Sequence, residues 1–413
     1  MKKDKTSNFQ IKTILSILWP PSSILKQFIS ILLFKHLIKW KYFYKWLFKY
    51  SFKTIPVAAG AWGMGCIGYP PHPVWEVTNA CNLNCIHCHA AGGKPAKDEL
   101  TTEEGKKLID EIARMKEFKT IVYSGGEPLM RPDLIELLNY SKKAGLINII
   151  ATNGTLITED MAFKLKQSGV FCVAVSLDSS DPNIHNSIRK HPEAFSKAVQ
   201  GIKNAAKAGI LIQINTTAME YNFKTLGKLL EMGEDLGTGI YLMYQLVPVG
   251  RGNKIEDASL KVNKNEKLLK FLAEKQKNIS AIVEPVAGPQ YWPYLLEKNN
   301  KTSPFWRFIA ERVFFGCAAG RGFIYIKANG NIWPCPFVEV NAGNIREQSL
   351  EYIYKNSTVL NNLRNRENTL KGKCKTCKYR KMCGGCRGRA WAYTGDYLAE
   401  DPSCFLNFPG VRS

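Results

Sequence analysis

Acidic residues are scarce in this chain. Its 413 residues include 57 Lys and Arg against 35 Asp and Glu, a formal net charge of +22. Residues 1–72 hold eleven lysines and one acid, Asp4, so about +10 of the excess lies there and about +12 in the remainder. An acid-poor chain suits anionic partners, such as lipid headgroups or a poly-carboxylate substrate; nucleic acid is not expected. An export signal is also missing. Ile11–Trp19 is a short apolar run, but no A-x-A-like cleavage site follows it closely. Within Ser23–Lys53 the longest uncharged stretch is Gln27–Phe34, far short of the ~20 residues a membrane span needs. The expectation is a protein of the reducing cytoplasm, which excludes disulfides as the use of its twelve cysteines. There is no low-complexity tract and no repeat beyond a βα alternation.

With 45% apolar residues, the chain can build at least one large core and two domains. From Ser23 to Lys53 it is rich in Leu, Ile, Phe, Trp and Tyr, with Lys41, Lys45, Lys49 and Lys53 at four-residue spacing. On a helix these lysines share one side. The pattern predicts an amphipathic segment lying on an anionic membrane, at the inner face of the cell membrane. Trp40, Phe43, Trp46, Leu47 and Phe48 would then sit at the acyl boundary. The alternative is a helix that packs on the rest of the protein with its lysines solvated.

From Val74 to about Gly252, six short apolar runs alternate with helical patterns: 74–77, 120–123, 147–151, 171–176, 210–215 and 240–246. Thr101 and Glu104 form a capping box for the first helix. The alternation predicts an α/β fold, a partial (βα)6 TIM-type barrel of parallel strands. Unusual residues follow every run: Cys81, Cys85 and Cys88; Gly125-Gly126-Glu127-Pro128; Thr152-Asn153-Gly154; Ser176-Leu177-Asp178; Asn215-Thr216-Thr217; and Val247 through Gly250 to Arg251. Active sites of parallel barrels gather at the carboxyl ends of the strands, so one shared site is expected. Residues 253–316 carry no motif and are expected to cover the barrel mouth. The remainder, 317–413, reads as a small cysteine-rich domain with a β-hairpin around Asn329-Gly330. The expected division is thus 1–72, 73–252, 253–316 and 317–413.

Cys81-x₃-Cys85-x₂-Cys88 places three thiolates close together, which suits a cubic iron–sulfur cluster. Such a cluster ordinarily takes four cysteines, so three leave one iron open to a small molecule. Cys85-Ile86-His87-Cys88-His89 also matches C-x₂-C-H, the c-type heme attachment pattern, but that use needs export and ignores Cys81. His87 and His89 are expected beside the cluster rather than as ligands. Farther on, Cys374-x₂-Cys377 and Cys383-x₂-Cys386 taken alone would suit zinc. With Cys317, Cys335 and Cys404 around them, clusters are favoured. Cys172 reads as a small buried residue, Cys66 as part of a Gly-rich linker, and Arg251 as a possible carboxylate clamp.

These motifs resemble the radical S-adenosylmethionine superfamily, and the C-terminal cysteines resemble its SPASM auxiliary-cluster domain, together over roughly residues 74–408. The tail from Cys383 to Pro402 looks like the branch containing the alternative heme-pathway enzymes and heme d1 maturases. The resemblance implies a [4Fe–4S] cluster on Cys81, Cys85 and Cys88, with S-adenosylmethionine at its open iron. Reductive cleavage, fed by a low-potential donor such as flavodoxin or ferredoxin, gives a 5′-deoxyadenosyl radical that takes hydrogen from an sp³ carbon. It also implies that Gly125 and Gly126 admit the methionine moiety, that Glu127, ahead of Pro128, meets its amino group, that Thr152, Asn153, Ser176 and Asp178 contact ribose or sulfonium, and that Val247 to Gly250 meet adenine. For the auxiliary clusters it implies Cys374, Cys377, Cys383 and Cys404 outside, and Cys317, Cys335 and Cys386 inside. Here two residues separate Cys383 from Cys386, where three are common. No cysteine lies between Cys172 and Cys317, so the inner cluster is expected to keep an iron open to substrate. Three substrates remain: a modified tetrapyrrole, a membrane lipid, or a ribosomal peptide. A membrane-bound iron–sulfur electron carrier is the non-enzyme alternative, which Gly125-Gly126-Glu127-Pro128 argues against.

Overall fold

The computed structural model describes residues 21–49, 72–314 and 316–406. Cys66, the Ile11–Trp19 run and the end of the basic segment lie outside them. The six predicted runs are strands: β1 (His72–Glu76), β2 (Thr120–Ser124), β3 (Ile147–Thr152), β4 (Val170–Ser176), β5 (Leu211–Ala218) and β6 (Ile240–Gln245). Each pairs in parallel with the next. Helices cross between them, and Thr101 and Glu104 form the reciprocal cap of the first, Thr102–Arg114.

The parallel sheet is wider than six strands. The motif-free stretch supplies β7 (Ile282–Val286), parallel to β6. On the other side β8 (Phe323–Ile326) runs parallel to β1, with His72 opposite Phe323 and Trp75 opposite Ile326. The predicted hairpin is there: β8 turns through Asn329-Gly330 into β9 (Asn331–Trp333), and β10 (Gly343–Asn344) follows antiparallel. The cysteine-rich region therefore enters the barrel sheet directly. Among the described residues β7 and β10 are the two ends of the sheet, so the barrel is not closed.

The N-terminal helices, Pro21–Ile38 and Phe43–Lys49, correct the expectation that Trp40, Phe43 and Trp46 sit at an acyl boundary. Trp40 is 4% exposed, Phe43 6% and Trp46 0%, all within the main core. Pro21–Ile38 packs on helices Val262–Gln276, Tyr291–Lys298 and Pro304–Val313. Trp40 Nε1 donates to Ile279 O at 2.8 Å and Phe34 meets Trp292 edge-on. Burying each large aromatic is worth roughly 1.5–3 kcal/mol. The docking alternative fits Trp40, Phe43 and Trp46, which face protein, while Lys41, Lys45 and Lys49 are exposed. No helix among the described residues is long and apolar enough to cross a membrane.

Candidate active site

The strand ends and the hairpin surround one cavity of about 1850 Å³, counting its solvent-open side. Cys81, Cys85 and Cys88 line it, and so do Cys317, Cys335 and Cys386 from the C-terminal region. Cys374, Cys377, Cys383 and Cys404 line a second, smaller cavity. The grouping matches the expected inner and outer sets.

The loop bearing Cys81, Cys85 and Cys88 is fixed from several sides. Gly126 N and Glu127 N donate to Thr78 O and Ala80 O at 2.8 and 2.7 Å, and Cys81 N donates to Gly93 O at 2.8 Å. A side chain on Gly125 (φ +143°) or Gly126 would collide with Thr78 O or Ala80 O. Both glycines border the cavity, and their missing side chains make room for this loop. Gly250 (φ +57°) lies outside the cavity lining, and a Cβ there would strike the carbonyl of His89. Arg251 lends Nε to Cys85 O and Nη1 to Gly92 O, both at 2.8 Å. Only its buried Nη2 lacks a partner, so the proposed carboxylate clamp is chiefly a brace for the loop.

Two other expectations are corrected. Glu127 is fully buried, and its oxygens already accept from Thr152 Oγ1 (2.7 Å), Asn153 N (2.7 Å) and Leu129 N (3.2 Å). Neither it nor Pro128 reaches the cavity. Burial pushes the Glu127 carboxyl up to about 7, against the pull of these hydrogen bonds. Asp178 is equally buried and bound to Arg189, Nη2 to Oδ2 at 2.7 Å, and to Thr217 N at 3.0 Å. Burial raises its pKa, but Arg189, His87, His185 and the Thr217 N–H together outweigh this and hold the group below the usual carboxylate range. Thr152, Asn153, Ser176 and Val247 do line the cavity.

Sequence reasoning missed Arg189. It borders the cavity and sets Nη1 3.7 Å from Cys85 Sγ. Ion-paired to Asp178, it is a fixed cation beside the thiols. As a lone arginine more than a hundred residues from Cys85, it gave no spacing signal. His87 and His89 also line the cavity, and burial pushes both down to about 4, so they are neutral near pH 7.

The cysteines fit anionic ligands of a cationic centre. Burial raises Cys81 to about 11 and Cys386 and Cys404 to about 12, and nearby thiols add to the rise. Without a cation they stay protonated; a bound metal takes them as thiolates. Backbone N–H groups already point at four sulfurs: Leu83 N at Cys81 (3.5 Å), and Tyr379, Gly385 and Arg389 N at Cys377, Cys383 and Cys386 (each 3.4 Å). Such bonds are among the levers that tune iron–sulfur sites.

The Radical SAM superfamily profile matches residues 75–233, and the SPASM profile, an iron-sulfur cluster-binding domain, matches 317–378. The second match favours clusters over zinc in the C-terminal block. The chain is 39% identical over 348 residues to the AdoMet-dependent heme synthase of Methanosarcina barkeri, covering 82% of this chain and 97% of the relative. It is 33% identical over 355 residues to the Fe-coproporphyrin III synthase of the same organism, covering 81% and 88%. Among solved structures, Streptococcus suis SuiB bound to S-adenosylmethionine shares the fold, with a TM-score of 0.66, 17% identity and coverage of 82% and 78%. The chain belongs to the radical S-adenosylmethionine superfamily, in the SPASM-bearing branch that holds the alternative heme-pathway enzymes.

Proposed function

We propose that this S-adenosylmethionine-dependent enzyme acts on an iron tetrapyrrole, converting propionate side chains to vinyl groups with loss of CO₂. The observation that carries the reading is the single cavity bordered by both Cys81/Cys85/Cys88 and Cys317/Cys335/Cys386. Hydrogen removal and electron removal from one substrate need such neighbours. The tetrapyrrole class is supported by the names of the relatives matched over most of the chain.

Cys81, Cys85 and Cys88 would hold the [4Fe–4S] cluster, Cys317, Cys335 and Cys386 an inner auxiliary cluster, and Cys374, Cys377, Cys383 and Cys404 an outer one. When bound, the first cluster and adenosylmethionine supply the deoxyadenosyl radical that takes hydrogen from an sp³ carbon. Arg189 offers its buried charge to the methionine carboxylate. Thr152, Asn153 and Ser176 present polar groups for ribose, and Val247 an apolar wall for adenine. Tyr244, Tyr325 and Phe337 give the cavity aromatic surface for a macrocycle. Arg251 Nη2 is left for a propionate. A small low-potential protein such as flavodoxin or ferredoxin is the proposed electron donor.

The lipid alternative draws on the N-terminal helices. With Trp40, Phe43 and Trp46 enclosed, they offer a membrane chiefly Phe48 (82% exposed) and Tyr44 (60%). That is less support than the relatives give the tetrapyrrole.

The test is anaerobic. Reconstituted full-length protein receives adenosylmethionine, dithionite and iron–coproporphyrin deuterated on its propionates. Label in 5′-deoxyadenosine and a tetrapyrrole lighter by CO₂ and two hydrogens (one of them deuterium) per propionate converted are expected. Label arriving only from a deuterated lipid or peptide pool would overturn the reading.

A further inference from the structure

Three buried arginines stand among the SPASM cysteines, and two of them have no carboxylate ion-pair partner among the described residues. Arg389 is ion-paired, Nε to Asp401 Oδ1 at 2.9 Å. Arg366, 1% exposed, gives Nη1 to Cys317 O (2.6 Å) and Nη2 to Lys381 O (2.8 Å), while its buried Nε has no partner. The adjacent acid, Glu367, is held by Lys381. A Cβ on Gly384 would sit 2.7 Å from Arg366 Cζ, so the guanidinium lies against the turn between Cys383 and Cys386. Arg387, fully buried, contacts the carbonyls of Gly385, Tyr397 and Ala399 and reaches Cys374 Sγ at 3.7 Å.

A guanidinium cannot shed its proton, and a buried charge without a counter-ion is costly. The anions nearest them are the sulfurs; Asp396, which also feels the charge of Arg387, is held by Lys371 at 2.6 Å. Arg366 is bonded to the backbone of Cys317 from the inner set and packed on the turn of Cys383 from the outer set; Arg387 points at Cys374. At the other cluster site, Arg189 has its charge offset by Asp178.

We propose that Arg366 and Arg387 are built-in counter-charges for the auxiliary clusters, and that they hold the reduction potentials of those clusters above that of the cluster on Cys81, Cys85 and Cys88. Reduction adds one negative charge to a thiolate-bound cluster, and an unbalanced cation nearby favours that form. Potential follows net charge and hydrogen bonding around the cluster. The difference makes the SPASM sites the downhill destination for the electron that leaves a substrate carbon. One oxidised auxiliary cluster gains that electron, and no proton moves.

The inference rests on the cluster assignment above and is independent of the substrate. Anaerobic potentiometric titration read by electron paramagnetic resonance, on the full-length reconstituted protein, separates the clusters; adenosylmethionine perturbs the signal of the cluster on Cys81, Cys85 and Cys88 alone. In Arg366→Gln and Arg387→Gln the auxiliary clusters are expected to become at least about tenfold harder to reduce, ~59 mV lower for a one-electron couple. The cluster on Cys81, Cys85 and Cys88 is expected to stay put, and Arg366→Lys and Arg387→Lys to remain near wild type. Unmoved potentials in both Gln variants, or equal shifts in the Lys variants, overturn the proposal. Should the Gln variants lose iron while the Lys variants keep it, charge is again the requirement. Loss in both kinds would make the arginines framework alone and overturn it. Wild-type protein without iron at the SPASM cysteines would instead refute the cluster assignment.

Discussion

At the scale of single residues, a motif shows which side chains gather but not which way each one faces. Cys81, Cys85 and Cys88 were legible because three thiols at that spacing have few uses. Glu127 was misread: its position beside the site was legible, but its carboxylate turns inward to three donors. This has a pH consequence. The folded-state pKa is raised from 4.5 to about 7 by burial, so the native state keeps a proton that the unfolded chain has released. The contribution of this group to stability therefore falls as pH rises between those values and levels off above them. Buried His87 and His89, held near 4, add stability that rises over much of the same window, so the readout is a difference: the thermal midpoint of wild type minus that of Glu127→Gln should fall as pH rises from about 4.5 to about 7 and stay constant above it. The Gln variant should also be destabilised by about 1–3 kcal/mol at low pH, because its amide donors face donors. A Gln variant with the wild-type slope would assign the titration elsewhere.

At the scale of elements, the strand ends were legible and two features were not. The strand β7 reads Ile282-Val283-Glu284-Pro285-Val286, and its Glu and Pro break the apolar run that marked the other strands. Glu284 is nevertheless 3% exposed. The N-terminal helices failed for a different reason: a stripe of aromatics opposite lysines satisfies a membrane surface and a protein groove equally, and only the partner helices decide. Trp46→Ala should cost about 3–5 kcal/mol, seen as a lower thermal midpoint. Lys41→Glu, Lys45→Glu and Lys49→Glu together should leave the midpoint nearly unchanged, within ±0.5 kcal/mol per site. The opposite ranking would return these helices to the surface.

At the scale of the whole molecule, the sequence divides into segments that the backbone does not respect. The expected boundary at 316/317 falls between β7 and β8, yet β8 is hydrogen-bonded to β1 along four paired positions. The auxiliary region is thus the flank of the barrel as well as a carrier of cysteines. Removing residues 317–413 would strip β1 of that neighbour and leave a row of bare backbone N–H and C=O groups beside the cluster loop, a ready template for strand addition from another copy. Such a truncation is expected to self-associate on size-exclusion chromatography even with Cys81, Cys85 and Cys88 intact; a well-behaved monomer would show the barrel to be self-sufficient. Exchanging SPASM regions between relatives is then no simple cassette swap. A donor region must bring a strand whose register and side chains suit this β1, and lineage mixing is constrained by sheet edges as much as by chemistry.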